Sequence, residues 1–167
     1  MKGFTSKIVH SDRLGGVEHG AVHKPVHDSV AFSFDDAQEL AAVFQGVKPG
    51  YTYGRQVNPT VDALEKKITA MEGGLGSVCF GTGMAAIGTT MFALLRAGDH
   101  VVSSAFLFGN TTSLFNSFGR QGLDVSFVDA TDVANVANAI TAQTKMVFVE
   151  TIANPRTQIA DLSLIHI

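Results

Sequence analysis

Gly81-Thr82-Gly83, followed at once by Met84-Ala85-Ala86, is the stretch of this sequence best suited to chemistry. A short apolar run, Ser77–Phe80, leads into the glycines, and helix-forming residues continue to Leu95. A strand, a glycine turn and a helix in that order aim unpaired N–H groups and the positive end of a helix at an anion. With no Cβ at Gly81 or Gly83, an oxyanion can come close to the backbone. These residues point to a phosphorylated small molecule. The spacing Gly81-x-Gly83-x-x-Ala86 also fits a dinucleotide site, which needs an acidic residue about 20 positions on to grip the ribose hydroxyls. His100–Phe106 falls there and holds no acid, and Asp99 precedes that strand, at the wrong edge of a sheet. The dinucleotide reading lacks its partner.

Two further segments carry unusual residues. Phe106-Leu107-Phe108-Gly109-Asn110-Thr111 offers an aromatic ring beside a glycine, and Glu150-Thr151-Ile152-Ala153-Asn154-Pro155 offers an amide next to a proline. A phosphate cradle, an aromatic platform and an amide donor on one edge describe a site for a flat phosphorylated aromatic ring. Taken singly, Phe108 reads equally well as core and Asn154-Pro155 as a plain turn.

The elements that must position these residues follow from periodicity. Residues 1 to about 58 are irregular, with one helix expected over Phe34–Phe44. Asn58 and Pro59 read as an N-cap and first helical residue. Val61, Leu64, Ile68 and Met71 then recur at helical spacing, and Gly73-Gly74 ends the helix. Strands are expected at Ser77–Phe80, His100–Ser104, Val125–Asp129 and Lys145–Glu150, with helices over Met84–Leu95, Thr111–Gly119 and Asp132–Ile140 between them. Such alternation predicts an α/β fold of βα units with a mainly parallel sheet covered on both faces. Ligands gather beyond the carboxyl ends of the strands in such sheets.

Composition narrows the function classes. At 167 residues, 46% hydrophobic and 16% charged, the chain is long enough for a real core and is not of disordered type. A net charge of −3 without a basic stripe argues against nucleic acid as partner. No apolar run approaches membrane-spanning length, and the first 30 residues show four histidines rather than the apolar core of a signal peptide. The single cysteine, Cys79, excludes a disulfide framework, suits a reducing cytoplasm and is expected to be a buried packing residue.

His19, His23 and His27 lie four apart and invite a metal reading. Pro25 and Gly20 interrupt the helix that would align them, and no cysteine or carboxylate pair completes a site, so no metal is assigned. An N-terminal arm lying on a neighbouring subunit fits this composition better. Lys66-Lys67 and Asp35-Asp36 read as solvated faces.

Four co-linear motifs carry a resemblance: Tyr53-Gly54-Arg55-Gln56-Val57-Asn58-Pro59-Thr60, Gly81-Thr82-Gly83-Met84-Ala85-Ala86, Leu107-Phe108-Gly109-Asn110-Thr111 and Glu150-Thr151-Ile152-Ala153-Asn154-Pro155. Over about residues 4 to 162 the sequence resembles the N-terminal part of the Cys/Met-metabolism family of pyridoxal-phosphate enzymes, which have fold type I. The sulfhydrylase and cystathionine γ-synthase members are the most similar, through HGAVHKPVH, FQGVKPGYTYGRQ and FLFGNTTSLF. The resemblance implies that Gly83 and Met84 give N–H groups to the phosphate of pyridoxal 5'-phosphate. It implies that Tyr53 and Arg55 reach across a dimer interface to a neighbouring subunit's phosphate, where the planar Arg fork suits two oxygens. Phe108 falls where many members carry a tyrosine stacked on the cofactor ring, so stacking stays and a proton-transferring hydroxyl is lost. Asn154 resembles the amide that hydrogen-bonds the cofactor's phenolic oxygen.

Family members are more than twice this length. The cofactor-binding lysine, the aspartate that pairs with the pyridine nitrogen and the arginine for the substrate carboxylate are all expected beyond Leu162, so no catalytic residue is assigned here. Of seven lysines, only Lys145 follows a threonine as that lysine does. It opens its strand, roughly 17–20 Å from the carboxyl edge. Three parts are expected: an arm over 1–58, a partial cofactor-binding domain over 59–162, and a foreign or aberrant tail over 163–167. The function implied is γ-replacement on an O-acylated homoserine in a cytoplasmic homo-oligomer, a dimer-based tetramer, with this chain an incomplete and inactive fragment. A cystathionine or methionine γ-lyase, a nucleotide-binding α/β module and a non-catalytic subunit stub are the alternatives.

Overall fold

The computed structural model describes residues 3–13 and 15–166, in two compact units, Met1–Cys79 and Phe80–Ile167. The first unit holds helices α1 (Phe4–His10), α2 (Ala37–Phe44) and α3 (Pro59–Glu72), with single 3-10 turns at Ser11–Arg13 and Glu18–Gly20. The start of α3 is built as its sequence requires. Asn58 is the N-cap and its side chain accepts from the Thr60 N–H, Pro59 opens the helix, and Gly73 closes it at φ 66°, a left-handed conformation that glycine adopts freely. The same cap fastens the preceding chain, because Asn58 Nδ2 donates to the His27 carbonyl at 3.0 Å and the His27 N–H donates to Thr60 Oγ1 at 2.8 Å. The Tyr51 hydroxyl donates to Asp62 Oδ2 at 2.7 Å, a second tie onto α3.

Two details of this unit differ from the sequence reading. The helix expected from Phe34 begins at Ala37, because the Asp36 side chain accepts from the Gln38 N–H and so caps it there. Asp36 is exposed, as a solvated face requires, and serves as the cap as well. Lys67, also expected on a solvated face, lies half-buried with Nζ 3.4 Å from Asp12 Oδ2. Lys66 pairs with Asp62 one turn back, at 2.7 Å.

The second unit holds α4 (Gly83–Leu94), β1 (His100–Ser104), α5 (Gly109–Gly119), β2 (Asp124–Val128), α6 (Val133–Ala139), β3 (Thr144–Phe148) and α7 (Leu162–His166). The strands form one parallel sheet in the order β2-β1-β3. Central β1 is buried along its whole length. Its two neighbours are half-exposed edge strands. Alternation along β1 sends Val101 and Val102 to opposite faces, each into its own core. Val101 meets Met91, Leu95, Leu107, Phe115 and Phe118 from the side of α4 and α5. Val102 meets Ala130 and Val136, with Ile165 of α7 lying against them. The sheet is therefore covered on both faces, as the alternation of elements requires. His100 opens β1, buried, with its ring nitrogens 2.7 Å from Thr144 Oγ1 and 3.0 Å from Ser126 Oγ, so one imidazole joins all three strands at their amino ends.

The strand expected at Ser77–Phe80 is not formed among the described residues. That segment forms no regular element and is not part of the sheet. The Cys79 N–H is taken by Glu65 Oε1 at 2.8 Å instead of a ladder carbonyl, and Val78 and Phe80 are exposed. An apolar run becomes a strand only where a neighbouring backbone completes its hydrogen bonds. Cys79 is half-buried rather than buried for the same reason. Lys145 lies in β3 where the register with β1 slips between His100 and Val101, at the amino end of the strand.

Candidate functional site

Because all three strands run parallel, their carboxyl ends share one edge of the sheet. Helix α4 leads into β1 from the opposite edge, where the Gly98 N–H donates to the Gly122 carbonyl just ahead of β2. Twelve residues make α4 roughly 18 Å long, enough to return its first turn to the carboxyl edge. Its alignment with α5 agrees. A Cβ built at Gly88 lies 3.9 Å from Leu114 Cδ2, and each of those residues is five positions into its helix. At the other end Phe92 and Phe118 meet edge to face at 4.9 Å. The N-termini of α4 and α5 therefore stand side by side at the edge where ligands gather.

The first turn of α4 is short of acceptors. Extended Thr82 is its N-cap, and Thr82 Oγ1 accepts from the Ala85 N–H at 3.1 Å. The Ala86 N–H bonds the Thr82 carbonyl at 3.1 Å. No acceptor meets the N–H groups of Gly83 or Met84 among the described residues. Neither Gly81 nor Gly83 has a positive φ, and a Cβ on either would meet nothing within 4 Å. The glycines are not needed for the turn's own geometry. Their lack of a Cβ leaves this stretch of backbone open to close approach.

The loop leaving β1 sends its last two apolar residues in opposite directions. Leu107 is buried in the core beside Val101, whereas Phe108 is 50% exposed. Phe108 as a core residue is thereby excluded. It is the residue before α5, at φ −59° and ψ 137°, and no side chain caps that helix. The loop leaving β3 is a tight reversal, closed by the Ala153 N–H to the Gln158 carbonyl and the Thr157 N–H to the Ala153 carbonyl, both 2.8 Å. Buried Ala153 anchors it, and exposed Asn154 stands at its tip with no hydrogen-bond partner for its side-chain amide among the described residues. The turn reading of Asn154-Pro155 is correct, and it presents the amide to solvent.

Within the second unit, then, one sheet edge carries the open N–H groups of Gly83 and Met84, the exposed ring of Phe108 and the exposed amide of Asn154. Tyr53 and Arg55 belong to the first unit. Tyr53 pairs with Ala31 in an isolated antiparallel bridge, and Arg55 Cζ stands 5.2 Å from its ring centroid, a cation–π contact. Exposed Arg55 has no carboxylate partner among the described residues.

Comparison with known proteins adds the identity of the scaffold. The Cys/Met metabolism PLP-dependent enzyme family matches residues 5–166. The chain belongs to that family. It is 37% identical over 161 residues to an L-methionine gamma-lyase of Fusobacterium nucleatum, covering 96% of this chain and 40% of that protein. It is 38% identical over 162 residues to the O-acetyl-L-homoserine sulfhydrylase of Corynebacterium glutamicum, covering 96% of this chain and 37% of that one. A crystal structure described as a putative O-acetylhomoserine (thiol)-lyase of Campylobacter jejuni, containing N'-pyridoxyl-lysine-5'-monophosphate, superposes with a TM-score of 0.86 at 26% identity, over 96% of this chain and 40% of its own. The chain spans about 40% of the length of these relatives. The sheet, its strand direction and its flanking helices are thus those of fold type I.

The residues present fit a phosphorylated pyridine. Two open N–H groups at a helix N-terminus suit a phosphate, an exposed ring suits stacking, and an unpaired amide suits a phenolic oxygen. Sequence reasoning passed over one residue on this edge: Glu150 Oε1 accepts from the Phe108 N–H at 3.1 Å. A lone glutamate after an apolar strand gives no sign in sequence of the backbone group it will meet 42 positions away.

Proposed function

We propose that this chain forms part of a pyridoxal 5'-phosphate site, and that the protein it belongs to performs γ-replacement on an O-acylated homoserine with a sulfur nucleophile. The observation that carries this reading is the set of free donors and one exposed aromatic ring along a single sheet edge. Gly83 and Met84 would bind the phosphate, Phe108 would hold the ring by stacking, and Asn154 would donate to its phenolic oxygen. Tyr53 and Arg55 would bind the phosphate of a neighbouring subunit, with the segment over 1–58 as the arm that reaches it. Residues 59–162 would be the partial cofactor domain. Bound there, the cofactor supplies an electron sink for carbanions of the amino-acid substrate. Phe108 holds no titratable proton, so proton movement at that position must come from another group. The protein would act in the cytoplasm as a dimer-based tetramer.

Elimination, releasing a thiol and a keto acid, is the second reading. It is supported by a methionine gamma-lyase relative at 37% identity beside a sulfhydrylase at 38%. Two measurements test the proposal in the protein as its gene encodes it. Titration with pyridoxal 5'-phosphate should give a saturable visible band, and Arg55→Ala should weaken binding without altering the far-ultraviolet circular dichroism. Turnover with O-acetylhomoserine and sulfide, compared with keto-acid release from methionine, separates replacement from elimination. A protein that binds no pyridoxal 5'-phosphate refutes both.

A further inference from the structure

We propose that Glu150 is a positioning residue, which fixes the direction of the Phe108 ring by holding the Phe108 backbone from the neighbouring strand. The inference rests on the reading of Phe108 as the stacking platform and adds the group that makes that platform rigid. Phe108 lies between buried Leu107 and the first turn of α5. Its carbonyl accepts from the Thr111 and Thr112 N–H groups at 2.9 and 3.3 Å. Its N–H donates to Glu150 Oε1 at 3.1 Å. With both backbone groups held, the Cα–Cβ direction is set and only side-chain rotation is left to the ring.

The setting favours a carboxylate for this task. Glu150 is two residues past β3, and β3 pairs directly with β1, whose exit loop carries Phe108. A single side chain therefore bridges the exits of two adjacent parallel strands, with no other hydrogen bond between those exits among the described residues. Ser104, Phe106, Ala130, Thr131 and Ala153 lie around Glu150, and the bond to Phe108 is itself solvent-exposed. No Lys, Arg or His pairs with Glu150 among the described residues. A carboxylate with no cation near an anion-binding edge costs affinity for phosphate. Its hydrogen bond to Phe108 is the compensating use.

The test compares Glu150→Ala, Glu150→Gln and Phe108→Ala in the protein as its gene encodes it. Amide hydrogen exchange at Phe108 is read without cofactor, then pyridoxal 5'-phosphate affinity and the visible circular dichroism of the bound cofactor. Glu150→Ala should speed exchange at Phe108 and weaken cofactor binding by about tenfold, as expected for a lost charge-assisted hydrogen bond. It should also shift the dichroism toward that of Phe108→Ala. Glu150→Gln keeps a carbonyl acceptor and should recover most of all three. If Glu150→Ala matches the unaltered protein while Phe108→Ala loses affinity, the positioning role is overturned and the stacking reading stands. If Phe108→Ala also binds normally, both fall. Should Glu150→Ala fail to fold, Glu150→Gln decides: native dichroism supports the hydrogen bond, and dichroism like that of Phe108→Ala overturns it.

Discussion

Replacing Gly83 with Ala should raise stability slightly and lower cofactor affinity, an opposed pair of effects that few other readings produce. Gly83 is the first residue of α4, its φ is not positive, and an added Cβ would meet no protein atom within 4 Å. The folded state thus accepts alanine without strain. The unfolded chain loses backbone freedom, so the fold should gain up to about 0.5–1 kcal/mol. Under the proposed reading the same methyl group would crowd a phosphate held by the Gly83 and Met84 N–H groups. Pushing a phosphate off one charge-assisted hydrogen bond costs roughly 1.5–3 kcal/mol, or about 10- to 150-fold in affinity. Thermal melting without cofactor and an absorbance titration with pyridoxal 5'-phosphate measure the two quantities separately. Unchanged affinity in Gly83→Ala would show that the phosphate does not sit at this helix end. Lower affinity accompanied by a lower melting temperature would instead mean that the turn itself needs the glycine.

Other expectations concern the scaffold. Phe115 is fully buried between the Phe127 and Phe148 rings, so Phe115→Ala should cost about 3–5 kcal/mol in denaturant unfolding. Asn58→Ala removes the α3 cap and the tie to the His27 carbonyl, and a loss of about 1–2 kcal/mol should appear as a lower denaturant midpoint. Tyr51 is pushed up to about 12, first by burial and then by its hydrogen bond to Asp62. One of the two tyrosines should therefore ionise late in an ultraviolet phenolate titration, and Tyr51→Phe should abolish that late step. A raised folded value means the stability from this pair is complete below the ordinary phenol range near 10 and is lost as pH rises toward 12. At the acid end burial opposes ionisation of Asp62, but hydrogen bonds from Lys66 and Tyr51 outweigh it and hold the carboxyl below its usual value. That contribution is present above the ordinary carboxylate range and fades as pH falls through the lowered value, which acid unfolding of Asp62→Asn would test.

The local elements were legible in the sequence because their determinants are local. Asn58-Pro59 and Gly73 bound α3 through capping chemistry that needs only near neighbours, and Asp132 caps α6 in the same way. β1 is found over His100–Ser104 as expected, since the Val101-Val102 pair sits in a short run between two helical patterns. Gly83, Met84, Phe108 and Asn154 were singled out by the motifs they sit in, and we propose them as the cofactor-binding residues. What the tertiary structure alone decided involves groups far apart in the chain. Ser77–Phe80 has a strand's composition yet lies outside the sheet, because strand identity depends on a partner backbone that a sequence window cannot contain. Phe108 and Leu107 are interchangeable by composition, and only packing against Val101 and Phe115 sends one inward and leaves the other free. The bond from the Phe108 N–H to Glu150 spans 42 positions and exists because β1 and β3 are neighbours in the sheet. Caps and periodicity are short-range and survive in the sequence, whereas pairing and burial are long-range and arise only when the chain has folded.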